Sequence, residues 1–242
     1  MRPFWIALQF LTRLPIPNQG HITPDEQGRS VLFYPLVGAV IGAILVLTAW
    51  LAQSQLNILA AALILGVWVA LTGALHLDGL ADMVDGWMGG QGDYERTLAI
   101  MKDPYCGPMG VTALVTLLLI KFTALYVLLE QAHWSWLLVA PLLARAAVIA
   151  LFRWTPYVRP QGLGSAMADN LPRENIPWVL GGCALFTLVV VGWGAIAVLL
   201  VSVVLFYWLR GLMLQRIGGT TGDTAGAMVE VMEAGVLVAL VW

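Results

Sequence analysis

Three aspartates, Asp78, Asp82 and Asp85, stand at i, i+4 and i+7 in the run His76-Leu77-Asp78-Gly79-Leu80-Ala81-Asp82-Met83-Val84-Asp85-Gly86. On a helix this spacing puts them within a sector of roughly 60°. Like charges on one helix face repel by a few tenths of a kcal/mol per pair even when exposed. A divalent cation is the usual compensation. Hard carboxylate oxygens suit Mg²⁺, which commonly takes one or two carboxylates and completes its shell with substrate phosphates. The alternative is a solvated acidic helix end, but the residues between the acids are apolar.

A second acidic group follows a small, hydroxyl-rich turn near the C-terminus, Gly218-Gly219-Thr220-Thr221-Gly222-Asp223-Thr224. Asp223 and Glu230 are seven apart and share a face, with Glu233 at its edge. Glu230 and Glu233 lie well inside an otherwise apolar stretch, where an ionisable group is costly and by default functional. Either of Asp223 and Glu230 could complete a metal shell or act as a general base; Glu230 could also pair with a buried cation such as Arg145.

Two further segments supply cations. Arg96 to Gly110 carries Arg96, Lys102 and Asp103 ahead of the stiff Pro104 and Pro108. Arg96 and Lys102 could neutralise phosphate oxygens or serve as membrane-edge anchors. Thr155 to Ser165 carries Arg159, Gly162 and Gly164, which could hold a nucleotide phosphate or form a plain loop. Lys121 lies deep in an apolar stretch and is expected to snorkel or pair inside the bundle. Together, two acidic faces, glycine-rich turns and several cations suggest a metal–diphosphate site.

Hydrophobic residues make up 60% of the 242 and charged residues 11%, against about 25% charged in a soluble domain. An all-α, polytopic membrane bundle is expected, as a single domain over residues 1–242. The net charge of −2 argues against a nucleic-acid partner. Cys106 and Cys183 have no metal or redox spacing. Residues 4–14 read as an amphipathic or half-inserted helix stopped by Pro15 and Pro17, without a signal-peptide cleavage pattern. A polar loop is expected over 18–30. Seven apolar stretches follow, near 31–52, 57–75, 108–129, 134–152, 177–192, 194–212 and 223–242. With the N-terminus in the cytoplasm, the loops on that side collect Arg13, Arg29, Arg96, Lys102, Arg153, Arg159, Arg173, Arg210 and Arg216. The opposite loops, near 53–56, 130–133 and 193, carry no Lys or Arg. The asymmetry predicts that every polar motif faces the cytoplasm.

The sequence resembles the cobalamin synthase family, the adenosylcobinamide-GDP ribazoletransferases. The matching stretches are Phe10 to Pro17, His76 to Gly86, Met101-Lys102-Asp103, Tyr157 to Gly164 and Thr221 to Ala227, in the family's order along nearly the whole chain. The resemblance implies an enzyme of the bacterial inner membrane that needs Mg²⁺. It would join adenosylcobinamide-GDP to α-ribazole or its 5′-phosphate and release GMP. Asp78, Asp82, Asp85 and Asp223 would then hold the metal, with Asp82, Asp85, Asp223 and Glu230 as the catalytic acids. Arg96, Lys102, Asp103, Arg159, Gly162 and Gly164 would bind the nucleotide diphosphate. Besides its substrates and the lipid bilayer, the expected partners are a second copy or other corrinoid-assembly enzymes.

Asp82-Met83-Val84-Asp85-Gly86 also fits the D-x2-D-G opening of CDP-alcohol phosphotransferases, but no D-x3-D follows it at the right distance. An aspartate-rich prenyltransferase would likewise use two acidic motifs, Mg²⁺ and a diphosphate. A secondary transporter would place its charges at the midplane between repeats, whereas these acids crowd one face and no repeat is visible.

Overall fold

The computed structural model describes residues 1–159 and 162–242; Pro160 and Gln161, within the expected Tyr157–Gly164 motif, lie outside them. The described residues form helices and turns, with a single isolated β-bridge between Tyr157 and Thr220. An N-terminal helix α1 (Arg2–Leu11) buries Ile6, Ala7, Leu8 and Leu11 and exposes its other side, as an amphipathic helix must. The expected polar loop contains a short helix, α2 (Pro24–Val31). Its local signal was legible: Thr23 and Glu26 form a reciprocal capping box, and Pro24 occupies the first turn.

The apolar stretches become α3 (Tyr34–Leu51), α4 (Asn57–Thr72), α7 (Pro108–Glu130), α8 (Val139–Trp154), α10 (Ile176–Val191), α11 (Ala195–Ile217) and α12 (Gly222–Val241). Among the described residues, five stretches have the length and hydropathy to cross a membrane; one of them, Arg173–Ile217, runs 45 residues and contains both α10 and α11. At about 20 residues per crossing, that run is long enough for two. The chain is a polytopic membrane bundle. α8 is buried on nearly every side, Val139 to Phe152, and forms the centre against α3 and α12.

The acidic run forms α5 (Leu75–Gly90), followed by α6 (Tyr94–Ile100). α4 reaches spanning length only together with α5, and the two are bent by 86°. Gly73 and Ala74, both left-handed (φ 61° and 57°), make the corner. From it α5 packs against α12 and against the start of α7. Its first turns meet α12: a Cβ on Gly79 would fall 2.7 Å from the Asp223 carbonyl, and one on Gly226 3.3 Å from the His76 backbone. Its later turns meet the start of α7, where Gly107 and Gly110 approach Asp85. A short α9 (Leu163–Asp169) packs on α2.

Because the α5–α12 crossing is backbone on backbone, Gly79→Val should cost about 1–3 kcal/mol as an overpacked contact. Thermal unfolding in detergent should drop accordingly, while Gly66→Ala on α4, which has open space around it, should leave it unchanged.

Candidate active site

α12 begins with a capping box of its own: Thr221 accepts from the Thr224 amide, and the Thr224 hydroxyl accepts from the Thr221 amide. This fixes Asp223 in the first helical turn, where the helix dipole favours a carboxylate. The preceding turn is held by backbone bonds from Val158 to Thr220 (2.9 Å) and from Thr220 to Pro156 (2.8 Å). That bridge carries the 155–159 loop to the site, and Arg159 Nη1 donates to Asp223 Oδ2 at 2.6 Å. The Nε and Nη2 groups of Arg159 are buried and have no partner among the described residues. They are free donors beside a cluster of carboxylates.

Asp78 is exposed and Asp82 half-buried, and neither carboxylate has a hydrogen bond or ion pair among the described residues. Burial chiefly, then the charges of Asp78 and Asp223, push the Asp82 carboxyl up to about 6 from 3.8, with Arg159 opposing. Asp78, Asp82, Asp223 and Arg159 are thus one electrostatic group at the α5–α12 crossing.

Asp85 is held differently. Its Oδ2 accepts from the Gly107 amide at 2.7 Å and its Oδ1 from the Gly110 amide at 2.8 Å. Both oxygens are spent on the exposed amides of the α7 N-terminus, a charge-assisted tie between α5 and α7. Gly107 and Gly110 are required there, since a Cβ on either would strike the carboxylate. Asp85 is therefore placed as an anchor rather than in the open cluster. Burial, followed by Asp85 and Asp82, raises the thiol pKa of neighbouring Cys106, which favours the neutral thiol.

Glu230 is also placed elsewhere. It lies seven residues below Asp223, about 10 Å along the helix, and is 3% exposed. Lys121 Nζ donates to Glu230 Oε2 at 2.9 Å and also bonds Glu233, which in turn pairs with Arg145. Arg145 is 0% exposed and reaches towards His76 Nδ1 at 3.5 Å. Lys121 sits 4.3 Å from the centre of the Trp68 ring, a cation–π contact. Two cations and two anions balance inside the bundle, so Glu230 serves a buried ion network. The expected Glu230–Arg145 pair is replaced by Glu230–Lys121 and Glu233–Arg145.

The expected phosphate-binding residues also separate. Arg96 and Lys102 are exposed and form no ion pair with a described residue; Asp103 caps a tight turn through the Tyr105 amide at 3.0 Å. Gly162 and Gly164 lie against the Tyr157 ring, 2.6 and 2.7 Å from where their Cβ atoms would be. They make room for that side chain. Gly86 and Gly90 similarly accommodate Met101 and Thr97, so the glycine run after the acids seats the α6 segment on α5.

Among the described residues, no three His, Cys, Asp or Glu side chains close around a point as a complete metal cage. The donor set nevertheless fits Mg²⁺ bound partly by a substrate. Asp78 and Asp82 are uncommitted hard-oxygen donors beside Asp223, and Mg²⁺ commonly draws its remaining ligands from phosphates and water. A cavity of about 170 Å³ adjoins the cluster, with Asp78 and Asp223 on its wall.

The raised Asp82 pKa fixes a sign. Protonation favours the metal-free fold fully below pH 3.8, and that contribution is lost as pH rises through about 6. The metal-free protein should therefore melt lower at pH 7 than at pH 5 by more than the Asp82→Asn variant does, as followed by thermal unfolding. Lys121→Met, which strands buried carboxylates, should destabilise by about 3–5 kcal/mol. Glu230→Gln should retain turnover per folded molecule, measured after removing aggregated protein.

The chain matches the family described as cobalamin-5-phosphate synthase over residues 3–241. It is 56% identical to the adenosylcobinamide-GDP ribazoletransferase of Pseudomonas entomophila (strain L48) over 99% of this chain and 98% of that one. The protein of the same name from Pseudomonas fluorescens (strain Pf0-1) is 56% identical over 99% of both chains. That from Pseudomonas syringae pv. syringae (strain B728a) is 55% identical, again over 99% of both. No solved structure matches. With a match from end to end and more than half of all positions shared with these relatives, the chain belongs to the cobalamin-5-phosphate synthase family.

Proposed function

We propose that this protein is an adenosylcobinamide-GDP ribazoletransferase. It transfers the adenosylcobinamide-phosphate moiety of adenosylcobinamide-GDP to α-ribazole, or to its 5′-phosphate, and releases GMP. The observation that carries the reading is the meeting of Asp78 and Asp82 on α5 with Asp223 and Arg159, in a chain so similar to proteins of that name. Positive residues collect on one side of the expected topology. This supports an active site facing the cytoplasm from a bacterial inner membrane.

Asp78, Asp82 and Asp223 would hold Mg²⁺. When bound, the ion neutralises charge on the diphosphate and on the departing phosphate. Arg159 is already oriented by Asp223, and its free Nε and Nη2 donors suit the phosphate oxygens of the GMP leaving group. The ribose hydroxyl of α-ribazole attacks the phosphorus on the cobinamide side, and the bond to the GMP oxygen breaks. A carboxylate oxygen of the cluster that is not bound to the ion takes the hydroxyl proton. Asp85 holds α5 against α7 so that Asp82 keeps its place.

Purified protein in detergent, given adenosylcobinamide-GDP and α-ribazole 5′-phosphate, should release GMP only when Mg²⁺ is present. No membrane gradient should be needed, which separates an enzyme from a transporter. Pyrophosphate release instead of GMP would point to prenyl-transfer chemistry. Asp82→Ala should abolish turnover while the protein still inserts and folds; near-normal activity in that variant would overturn the assignment.

A further inference from the structure

The cavity beside the acids has a composition unlike a phosphate site. Its apolar lining includes Phe10 and Leu11 from α1, Val148 and Phe152 from α8, Met167 from α9 and Val229 from α12, with His76 of α5 and Arg145 of α8 as polar wall groups. Phe10 lies near-parallel to Tyr34 of α3, with ring centres 6.3 Å apart. Asp78, Gly222 and Asp223 line the same space, so it opens onto the carboxylate cluster.

Two buried polar groups on its wall are poorly satisfied. Tyr34 is 2% exposed, yet among the described residues its hydroxyl meets only the Met167 sulfur, at 3.2 Å. A thioether is a weak acceptor, and a buried hydroxyl ordinarily finds a better one. Arg145 is 0% exposed, and its Nε has no partner among the described residues. A chamber with mostly apolar walls, in which Tyr34, His76 and Arg145 are the buried polar groups, suits a flat, weakly polar ring that offers an acceptor.

Size narrows the occupant. At about 170 Å³ the chamber is smaller than the roughly 300–1,000 Å³ typical of drug-sized ligands. A corrinoid macrocycle cannot enter, whereas one bicyclic ring can. Of the three bicyclic bases in the reaction, guanine and the adenine of the adenosyl group carry donors and acceptors around their edges that these walls would leave mostly unpaired. α-Ribazole is a benzimidazole riboside, whose ring has one free acceptor nitrogen.

We propose, on the reading of the reaction given above, that this cavity is the base-specificity pocket for the acceptor nucleoside. The benzimidazole enters between α1, α3, α8 and α12. Tyr34 donates to its ring nitrogen, and the ribose is left at the mouth beside Asp78 and Asp223. Tyr34, Val148 and Met167 then set which lower-ligand bases the enzyme accepts.

Two measurements test this on the full-length protein in detergent. In steady-state assays, Val148→Phe should raise the KM for α-ribazole by about tenfold or more, since pocket volume discriminates on that scale. Tyr34→Phe, which keeps the ring, should raise the same KM by several-fold. Neither should alter the KM for adenosylcobinamide-GDP. Equilibrium dialysis with benzimidazole alone should show saturable binding to the wild type that Val148→Phe abolishes. A rise in the KM for adenosylcobinamide-GDP instead, or no change in either KM, would overturn the pocket assignment. Wild-type protein that binds benzimidazole but never yields GMP would refute the reaction and leave the pocket standing; absence of benzimidazole binding would refute the pocket itself.

Discussion

Everything at the candidate site depends on how closely α5 approaches the start of α12. Without side chains at Gly79 and Gly226, the two backbones meet within van der Waals range. That contact turns two acidic motifs, separated by more than 130 residues, into one electrostatic group. The 86° corner at Gly73–Ala74 is the other half of the arrangement, because it turns α5 out of the line of α4 and onto α12. Asp85 then fastens the far end of α5 to α7. The carboxylates left uncommitted, Asp78 and Asp82, are those nearest the crossing.

Below that surface the bundle carries a second set of charges with a different purpose. Lys121, Arg145, Glu230 and Glu233 sum to zero and pair with one another across α7, α8 and α12. Such a network contributes less than its Coulomb attraction suggests, because each ion loses its hydration. Its effect is to fix register: α12 can sit at only one depth against α7 and α8 if both glutamates are to find cations. That depth sets the height of Asp223, and with it the distance between the last helix and the acids of α5.

Much of this was legible in the sequence because it rests on local periodicity. The apolar stretches, the amphipathic start and the i, i+4, i+7 aspartates each follow from short-range spacing, and each became a helix. The short helix after Thr23 was missed as part of a polar loop, although its capping pair was present. What spacing could not reveal is how side chains divide their roles. Asp85 and Asp82 are equivalent in pattern, yet one faces amide donors of α7 and the other faces Asp223. Glu230 shares a helix face with Asp223, but its depth commits it to Lys121. Gly162 and Gly164 make room for Tyr157, a contact that their spacing alone does not announce. These distinctions depend on contacts between elements distant in sequence, as does the Tyr157–Thr220 bridge that delivers Arg159.

The central claim is that the aspartates of α5 and of α12 grip a single cation. The most direct test is a double-variant cycle on metal affinity, with Mn²⁺ binding followed by electron paramagnetic resonance in the presence of adenosylcobinamide-GDP. Asp82→Asn and Asp223→Asn should each weaken Mn²⁺ binding about tenfold or more, and the pair together should cost little beyond either alone. Losses that simply add, or a variant on one helix that leaves affinity untouched, would mean that the two acidic motifs do not share an ion.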